Sequence, residues 1–134
     1  MKSTLKFILM IFTVLLICDC DQRQIQIFEN GFLEGKIAIG PLCPVETDPP
    51  DPACQPTQET YNSWPIVVWT SDKKMKIATI KPELDGNFLI DLPEGSYVVD
   101  LDKQHMFAKN LPATIIIEPD KTLLLNIDID TGIR

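Results

Sequence analysis

Apolar and polar residues alternate along much of the chain, which is the pattern of a β-strand with one buried and one exposed face. In the first such segment, residues 35–40, Ile37 and Ile39 alternate with Lys36 and Ala38. Glycine stands at both ends of the segment. We therefore predict one short strand there.

Two hairpins are predicted from pairs of strand-like segments that share a tight turn. Residues 65–70 and 75–80 are rich in β-branched and aromatic side chains and flank the first turn. Residues 114–118 and 122–129 flank the second turn, Pro119-Asp120-Lys121. In the last segment the odd-numbered leucines and isoleucines should be buried. We expect each pair to form neighbouring antiparallel strands.

Two further strands are predicted between the hairpins. Residues 88–92 and 97–102 each follow a turn that contains glycine. In the first segment the even-numbered apolar residues should face the core. In the second, the odd-numbered residues should face the core, and Val98, Asp100 and Asp102 should face solvent.

No segment keeps an apolar period of 3.6 residues over the length of a helix. Residues 103–111, which contain the single histidine, His105, should form one short turn at most. The remaining segments give about seven short strands separated by turn signals, which is typical of a sandwich. We predict an all-β fold, a single antiparallel β-sandwich of about seven strands preceded by a signal peptide.

The start of the chain has the pattern of an export signal. Lys2 and Lys6 precede an apolar segment, residues 7–17, that is shorter than the roughly 20 residues needed to span a bilayer. Three parts are expected: a signal peptide or lipoprotein signal (1–20), a linker or short edge strand (21–34), and the sandwich domain (35–134).

Cys18 and Cys20 are the candidates for lipid attachment. Neither follows the small residue that a lipoprotein peptidase prefers, because Ile17 precedes Cys18 and Asp19 precedes Cys20. Three outcomes stay open: a lipoprotein, a freely exported periplasmic or extracellular protein, and an uncleaved membrane anchor. An N-terminal lipid or signal anchor would hold the domain at a membrane of the cell envelope.

The chain is acidic, with a formal net charge of −7 at pH 7. Binding of nucleic acid depends on clustered Lys and Arg that neutralise phosphates. The sequence has no such cluster, so nucleic acid is excluded as a partner. The hydrophobic share of 45% indicates a folded core rather than a disordered chain.

Cys43 and Cys54 lie 11 positions apart in a chain that we expect to be exported. Oxidising compartments favour disulfides, so we predict a bond between them. The surrounding residues, 41–64, contain six prolines and should form a stiff surface loop. A zinc site is disfavoured, because two thiolates need two further ligands. A rigid loop of this kind is also a candidate for binding a partner.

Trp64 and Trp69 are candidates for contact with a ligand, because an exposed indole can stack on a sugar ring. Packing in the core is the alternative. Trp64, which precedes a proline, is the better candidate for exposure. This pattern keeps a small carbohydrate-binding module open as a second hypothesis.

Four aspartates alternate with apolar residues on two predicted strands: Asp100, Asp102, Asp128 and Asp130. If the two strands were neighbours, the four carboxylates could combine into a calcium site, which suggests calcium-dependent adhesion as a third hypothesis. The alternative is a solvated acidic face that keeps the protein soluble.

Catalytic groups are sparse. The serines after the leader lie in turn-like segments without a G-x-S-x-G elbow, and His105 is the only histidine. A pair of carboxylates for glycoside hydrolysis would need a large cleft. We expect no enzyme activity and no cofactor.

Several segments together resemble the carboxypeptidase regulatory-like, or transthyretin-like, sandwich domains of exported bacterial proteins. The matching segments are Gly35 to Pro41 with Cys43-Pro44, Cys54, Asp85-Gly86-Asn87-Phe88, Leu92 to Tyr97, and Ile127 to Gly132. The resemblance covers about residues 35–134 and implies an immunoglobulin-like or transthyretin-like sandwich. It implies an accessory or adhesive module without a shared activity. The expected partner is a protein or glycan at the envelope.

Overall fold

The structure is a computed structural model that describes residues 29–45, 47–102 and 107–133. The strands in these residues are β1 (Asn30–Gly40), β2 (Ile66–Thr70), β3 (Lys76–Ile80), β4 (Asn87–Pro93), β5 (Gly95–Leu101), β6 (Phe107–Lys109), β7 (Ala113–Ile117), β8 (Thr122–Leu124) and β9 (Ile127–Asp130). A 3-10 turn (Pro52–Cys54) and one helix, α1 (Gln58–Ser63), lie between β1 and β2. None of the described helices is long and apolar enough to cross a membrane. The predicted signal, with Cys18 and Cys20, lies outside the described residues.

The strands form two sheets. The first has the order β4-β1-β9-β6, and β8 also pairs with β1. The second has the order β3-β2-β5-β7. The predicted β-sandwich is confirmed, and most strand pairs are antiparallel. β8 and β9 differ, because both run parallel to β1.

The core lies between the two sheets and is built from alternate residues of the strands. The first sheet contributes Leu33, Ile37, Ile39, Phe88, Leu92, Ile127 and Ile129, and the second contributes Ile66, Val68, Ile80, Tyr97, Val99, Ile115 and Ile117. The predicted inward faces of β4, β5 and β9 are therefore confirmed. Full burial of one such side chain stabilises the fold by about 1.5–3 kcal/mol.

β1 begins at Asn30, within the segment that we expected to be a linker or short edge strand. It is a central strand, paired with β4 on one side and with β8 and β9 on the other. Its early inward positions are Gly31, Leu33 and Gly35. Glycine has no side chain, so the alternation that reveals a strand is largely invisible there.

The hairpin predicted for residues 114–118 and 122–129 is wrong. β7 pairs with β5 in the second sheet, whereas β8 and β9 pair with β1 in the first. Two backbone hydrogen bonds direct this crossing: the Asp120 N–H donates to the Asn30 C=O at 2.9 Å, and the Phe32 N–H donates to the Lys121 C=O at 2.8 Å. The alternating sequence pattern of a strand is the same whether it joins the sheet of the preceding strand or the other sheet.

The chain after this crossing is interrupted between β8 and β9. Hydrogen bonds bridge the interruption: the Leu125 N–H donates to the Glu34 C=O at 2.8 Å, and the Lys36 N–H donates to Asn126 Oδ1 at 3.0 Å. The amide side chain thus takes the place of a missing ladder acceptor. This division of the last strand, together with β6, accounts for the strands beyond the about seven that were predicted.

The short turn predicted for residues 103–111 is replaced in part by a strand. Residues 107–109 form β6, which pairs antiparallel with β9. His105 lies outside the described residues. Three residues are too few for alternation to indicate a strand.

Gly35→Ala should lower the free energy of unfolding by about 3 kcal/mol, because overpacking against backbone is poorly relieved. A Cβ at this position would lie 1.8 Å from the Leu125 carbonyl oxygen. Gly40→Ala is the control, since no atom lies within 4 Å of its added Cβ, and its effect should stay within about 0.5 kcal/mol. Urea denaturation measures both; equal midpoints for the two variants would contradict the close approach.

Candidate functional site

The predicted disulfide between Cys43 and Cys54 is present, with the two Cα atoms 5.6 Å apart. It closes the first part of the proline-rich loop 41–64. Within the closed segment, the side chain of Asp51 caps the 3-10 turn by accepting a hydrogen bond from the Ala53 N–H at 2.9 Å. Pro52 begins this turn, where a residue without an N–H leaves no donor unpaired. Covalent closure and local hydrogen bonds both hold the segment.

The second part of the loop is anchored on the core by α1. Thr57 and Thr60 form a capping box, in which the Thr60 N–H donates to Thr57 Oγ1 at 3.2 Å and the Thr57 N–H donates to Thr60 Oγ1 at 3.0 Å. Tyr61 belongs to the core cluster. Burial raises the pKa of the Tyr61 phenol, and the nearby Asp85 carboxylate adds to this effect. The sequence did not reveal this anchor, because six residues show no helical period.

Loop 41–64 and Asn30, the first residue of β1, lie at opposite ends of the sandwich. β1 has 11 residues from Asn30 to Gly40, a span of about 33 Å at about 3.3 Å per residue. The loop leaves the sheet at Gly40. Thr131 ties this base to the end of β9, since its N–H donates to the Gly40 C=O at 3.1 Å and its hydroxyl donates to the Pro41 C=O.

The closed loop forms a shallow concavity of about 250 Å³. Leu42, Val45, Pro50 and the disulfide supply apolar surface, and 71% of Val45 is exposed. Asp51 also lines the concavity, and no Lys or Arg occurs anywhere in residues 37–72. Sites for small ligands usually enclose about 300–1,000 Å³. The concavity therefore suits one apolar side chain of a partner, next to a positive charge.

Trp64 and Trp69 are both partly buried and lie in different parts of the fold. Trp64 is the residue after α1 and packs against the core cluster. Trp69 lies on the outer face of the second sheet, because its neighbour Val68 belongs to the core and side chains alternate along a strand. Trp69 is thus the one that faces away from the core, whereas the sequence favoured Trp64.

Two ion pairs lie on the same outer face. Lys73 Nζ is 2.6 Å from Asp100 Oδ2, and Lys76 Nζ is 3.7 Å from Asp102 Oδ2. The lysines belong to β3 and the turn before it. Asp100 lies near the end of β5 and Asp102 directly follows the strand, so the lysine stems extend across β2. Val67 on β2 is consequently buried although it faces outward.

Val98 was predicted to face solvent, but it is buried beside Trp69, its partner across the strands. The Trp69 indole shares the outer face with Val98, directly across the two strands. A hydrophobicity pattern along one strand cannot show cover that comes from a neighbouring strand.

Asp72 orders the turn between β2 and β3. Its carboxylate accepts a hydrogen bond from Thr70 Oγ1 at 2.6 Å. This bond is the main reason that the pKa of Asp72 is lowered.

The four aspartates of the calcium hypothesis are not brought together. Asp100 lies on β5 in the second sheet and Asp102 directly follows this strand, whereas Asp128 and Asp130 lie on β9 in the first sheet. The hypothesis required neighbouring strands, but the core separates these two. Among the described residues, no group of three or more His, Cys, Asp or Glu side chains could hold a metal ion.

Comparison with known proteins finds weak likenesses to solved structures. No protein-family model and no curated protein matches the chain. Fifteen chains of solved structures match. GBS52, the minor pilin of Streptococcus agalactiae, has a TM-score of 0.49 and 14% identity over 77% of this chain and 45% of its own. A DUF3823 family protein from Parabacteroides merdae has a TM-score of 0.46 and 12% identity over 76% and 46%.

BcpA, the major pilin subunit of Bacillus cereus, has a TM-score of 0.45 and 13% identity over 76% of this chain and 30% of its own. The chain spans less than half the length of each of these three structures. At these identities and TM-scores the likenesses carry no argument about function.

Replacing Cys43 and Cys54 by serine should lower the free energy of unfolding by about 3 kcal/mol, the loop-closure entropy expected for a link of this length. Denaturant titration under oxidising conditions measures the loss. Dithiothreitol should destabilise the wild-type protein by a similar amount and leave the double variant unchanged. Equal stability of wild type and variant without reductant would contradict a structural role for the bond.

Proposed function

We propose that this chain is an exported, non-catalytic β-sandwich domain that is tethered at its N-terminal side and presents loop 41–64 to a protein partner at the cell envelope. The observation that carries the proposal is the position of the two ends of β1. β1 separates Asn30 from Gly40 by about 33 Å. A tether before Asn30 would therefore leave the loop on the side of the domain that is farthest from the membrane.

The loop has the properties of a preorganised binding element. The Cys43–Cys54 bond, the Asp51 cap and the buried Tyr61 fix its shape before any partner arrives. A segment that is already ordered loses little entropy on binding. Its apolar concavity, with Val45 exposed at the surface and the Asp51 carboxylate in its lining, fits a partner that offers an apolar side chain beside Lys or Arg.

The proposal of a non-catalytic role is supported by the chemistry of the concavity. A catalytic site needs a nucleophile, a base and donors for developing charge that converge on one point. Here the two cysteines are bonded to each other, so neither sulfur is available as a nucleophile. The lysines of the second sheet lie on another face, in ion pairs with Asp100 and Asp102.

A photo-crosslinking residue at Val45 should capture a discrete partner in cells that export the full chain, because Val45 stands at the rim of the concavity. Leu89 is the control position, with 62% exposure on the outer face of the first sheet. The adduct should disappear when Cys43 and Cys54 are replaced by serine. In the same cells, label from a fatty-acid analogue should be lost in Cys18→Ser or in Cys20→Ser.

These experiments test the binding role of the loop and the membrane tether separately. Adducts of the same mass from Val45 and Leu89, or none from Val45, would contradict a binding role of the loop. A protein without fatty-acid label that separates from membranes would contradict the tether.

A second candidate function, recognition of a glycan, is favoured by the position of Trp69. The indole lies on the outer face of an ordered sheet, on the same face as the ion pair of Lys73 and Asp100. Sugar sites commonly combine an aromatic platform with charged hydrogen-bonding groups, and a tryptophan that is only partly covered retains surface for stacking. Trp64 packs on the core and is less suited to this role.

On a glycan array, Trp69→Ala should abolish binding if this surface recognises sugars, because it removes the stacking platform. Trp64→Ala is the matched control and should keep the bound glycans. Near-ultraviolet circular dichroism checks that both variants keep their tertiary structure. An array without signal for the wild-type protein would rule out the glycan hypothesis.

A further inference from the structure

A sandwich of two open sheets has edge strands whose outward N–H and C=O groups can pair with another chain. Among the described residues, the edges are β4, β6 and β8 in the first sheet and β3 and β7 in the second. β3 has an irregular register and begins with Lys76. β6 and β8 have three residues each, and β6 ends with Lys109. β4 contains Asp91 and ends with Pro93. Charge, proline, short length or irregularity thus opposes pairing at the four edges other than β7.

β7 has none of these features. Its sequence is Ala-Thr-Ile-Ile-Ile, without charge or proline, and its register with β5 is regular. Ile115 and Ile117 are buried in the core, whereas Ile116 is 63% exposed. The nearest charge after the strand, Glu118, is already paired with Lys121. In a protein with a net charge of −7, this is an edge where two copies can approach with little repulsion.

The hydrogen-bond pattern shows which groups of β7 face outward. The Asp102 N–H donates to the C=O of Pro65, the next position of the β2–β5 register, at 2.9 Å. Hydrogen-bonded pairs alternate along an antiparallel ladder, so the odd-numbered residues of β5 direct their backbone groups to β7. Their partners are the odd-numbered residues of β7. The N–H and C=O groups of Thr114 and Ile116 therefore face the open edge.

We propose that β7 is an interface between two copies of this chain, which pair edge to edge as antiparallel strands with Thr114 opposite Ile116 of the second copy. This register matches every outward donor to an acceptor. In the same register, Pro112 lies opposite Glu118 of the second copy. Pro112 has no N–H to donate, and the Glu118 C=O already accepts a hydrogen bond from the Lys121 N–H. This pair therefore needs only one bond. The Glu118 N–H can donate that bond to the proline C=O.

A second copy is favoured over a different partner because the edge is self-complementary. A two-fold axis at Ile115 gives each copy the same donors, acceptors and side chains, and it places the exposed Ile116 against a threonine of the other edge. Pairing of five residues covers much less than the about 1,200 Å² of a standard interface. The association is therefore weak in dilute solution and strengthened where tethered copies are concentrated.

The test introduces Thr114→Cys and Ile116→Cys together into the full chain, exported by a bacterial host. Antiparallel partners lie about 5.5 Å apart at Cα, within the reach of a disulfide. We expect a band at twice the monomer mass on a non-reducing gel, which disappears with reductant. Leu89→Cys with Asp91→Cys is the matched control, because both residues are exposed on edge strand β4 at the same spacing, and this pair should stay monomeric.

A second measurement does not depend on new cysteines. In sedimentation velocity, the average mass of the purified wild-type protein should rise with concentration, and Ile116→Lys should weaken the association at least tenfold. Leu89→Lys, at a similarly exposed site, should behave like the wild type. Equal cross-linking of both cysteine pairs, cross-linking of neither, an adduct with a different protein, or unchanged association of Ile116→Lys would each overturn the proposal.

Discussion

The close contact between β1 and the last part of the chain is the constraint on which the rest of the fold depends. β8 and β9 run parallel to β1, so the first and last strands of the described domain lie side by side. This contact exists because Gly35 has no side chain, since a Cβ there would lie 1.8 Å from the Leu125 carbonyl oxygen. A parallel pair needs a long connection between its strands. That connection supplies all of the second sheet.

The same constraint places the candidate functional elements. β1 is long and central, so its first residue, Asn30, and its last residue, Gly40, lie at opposite ends of the core. The loop begins directly after Gly40. Because β9 runs parallel to β1, Thr131 reaches the base of the loop and bonds to Gly40 and Pro41. The loop is therefore supported by the first and last strands together. Its shape depends on the core as well as on its own disulfide.

Alternation in the sequence was sufficient to predict the β2–β3 hairpin and the buried faces of β4 and β5, since both depend on neighbours in the chain. The disulfide was predicted on other grounds, because Cys43 and Cys54 are the two cysteines beyond a leader that indicates export to an oxidising compartment. Alternation failed for the crossing from β7 to β8, where the choice of sheet depends on bonds to Asn30 and Phe32, distant in sequence. It failed for Val98, because its partner on the outer face, Trp69, belongs to a strand that is distant in sequence.

The two outer faces of the sandwich show why the loop and an edge, rather than a broad sheet face, are the surfaces that we assign to contact with another protein chain. On the second sheet, the ion pairs of Lys73 and Lys76 already occupy the surface above β2, and a partner would have to displace them. On the first sheet, Leu89 and Leu124 are exposed, but Glu34 lies between them in register. A partner that covered both leucines would bury this carboxylate, at a cost of several kcal/mol unless a cation accompanied it. β7 carries no such penalty, because it offers backbone groups without a charge. At the loop, the Asp51 carboxylate in the lining of the concavity would lie beside the Lys or Arg that we expect the partner to offer, so its charge would be matched.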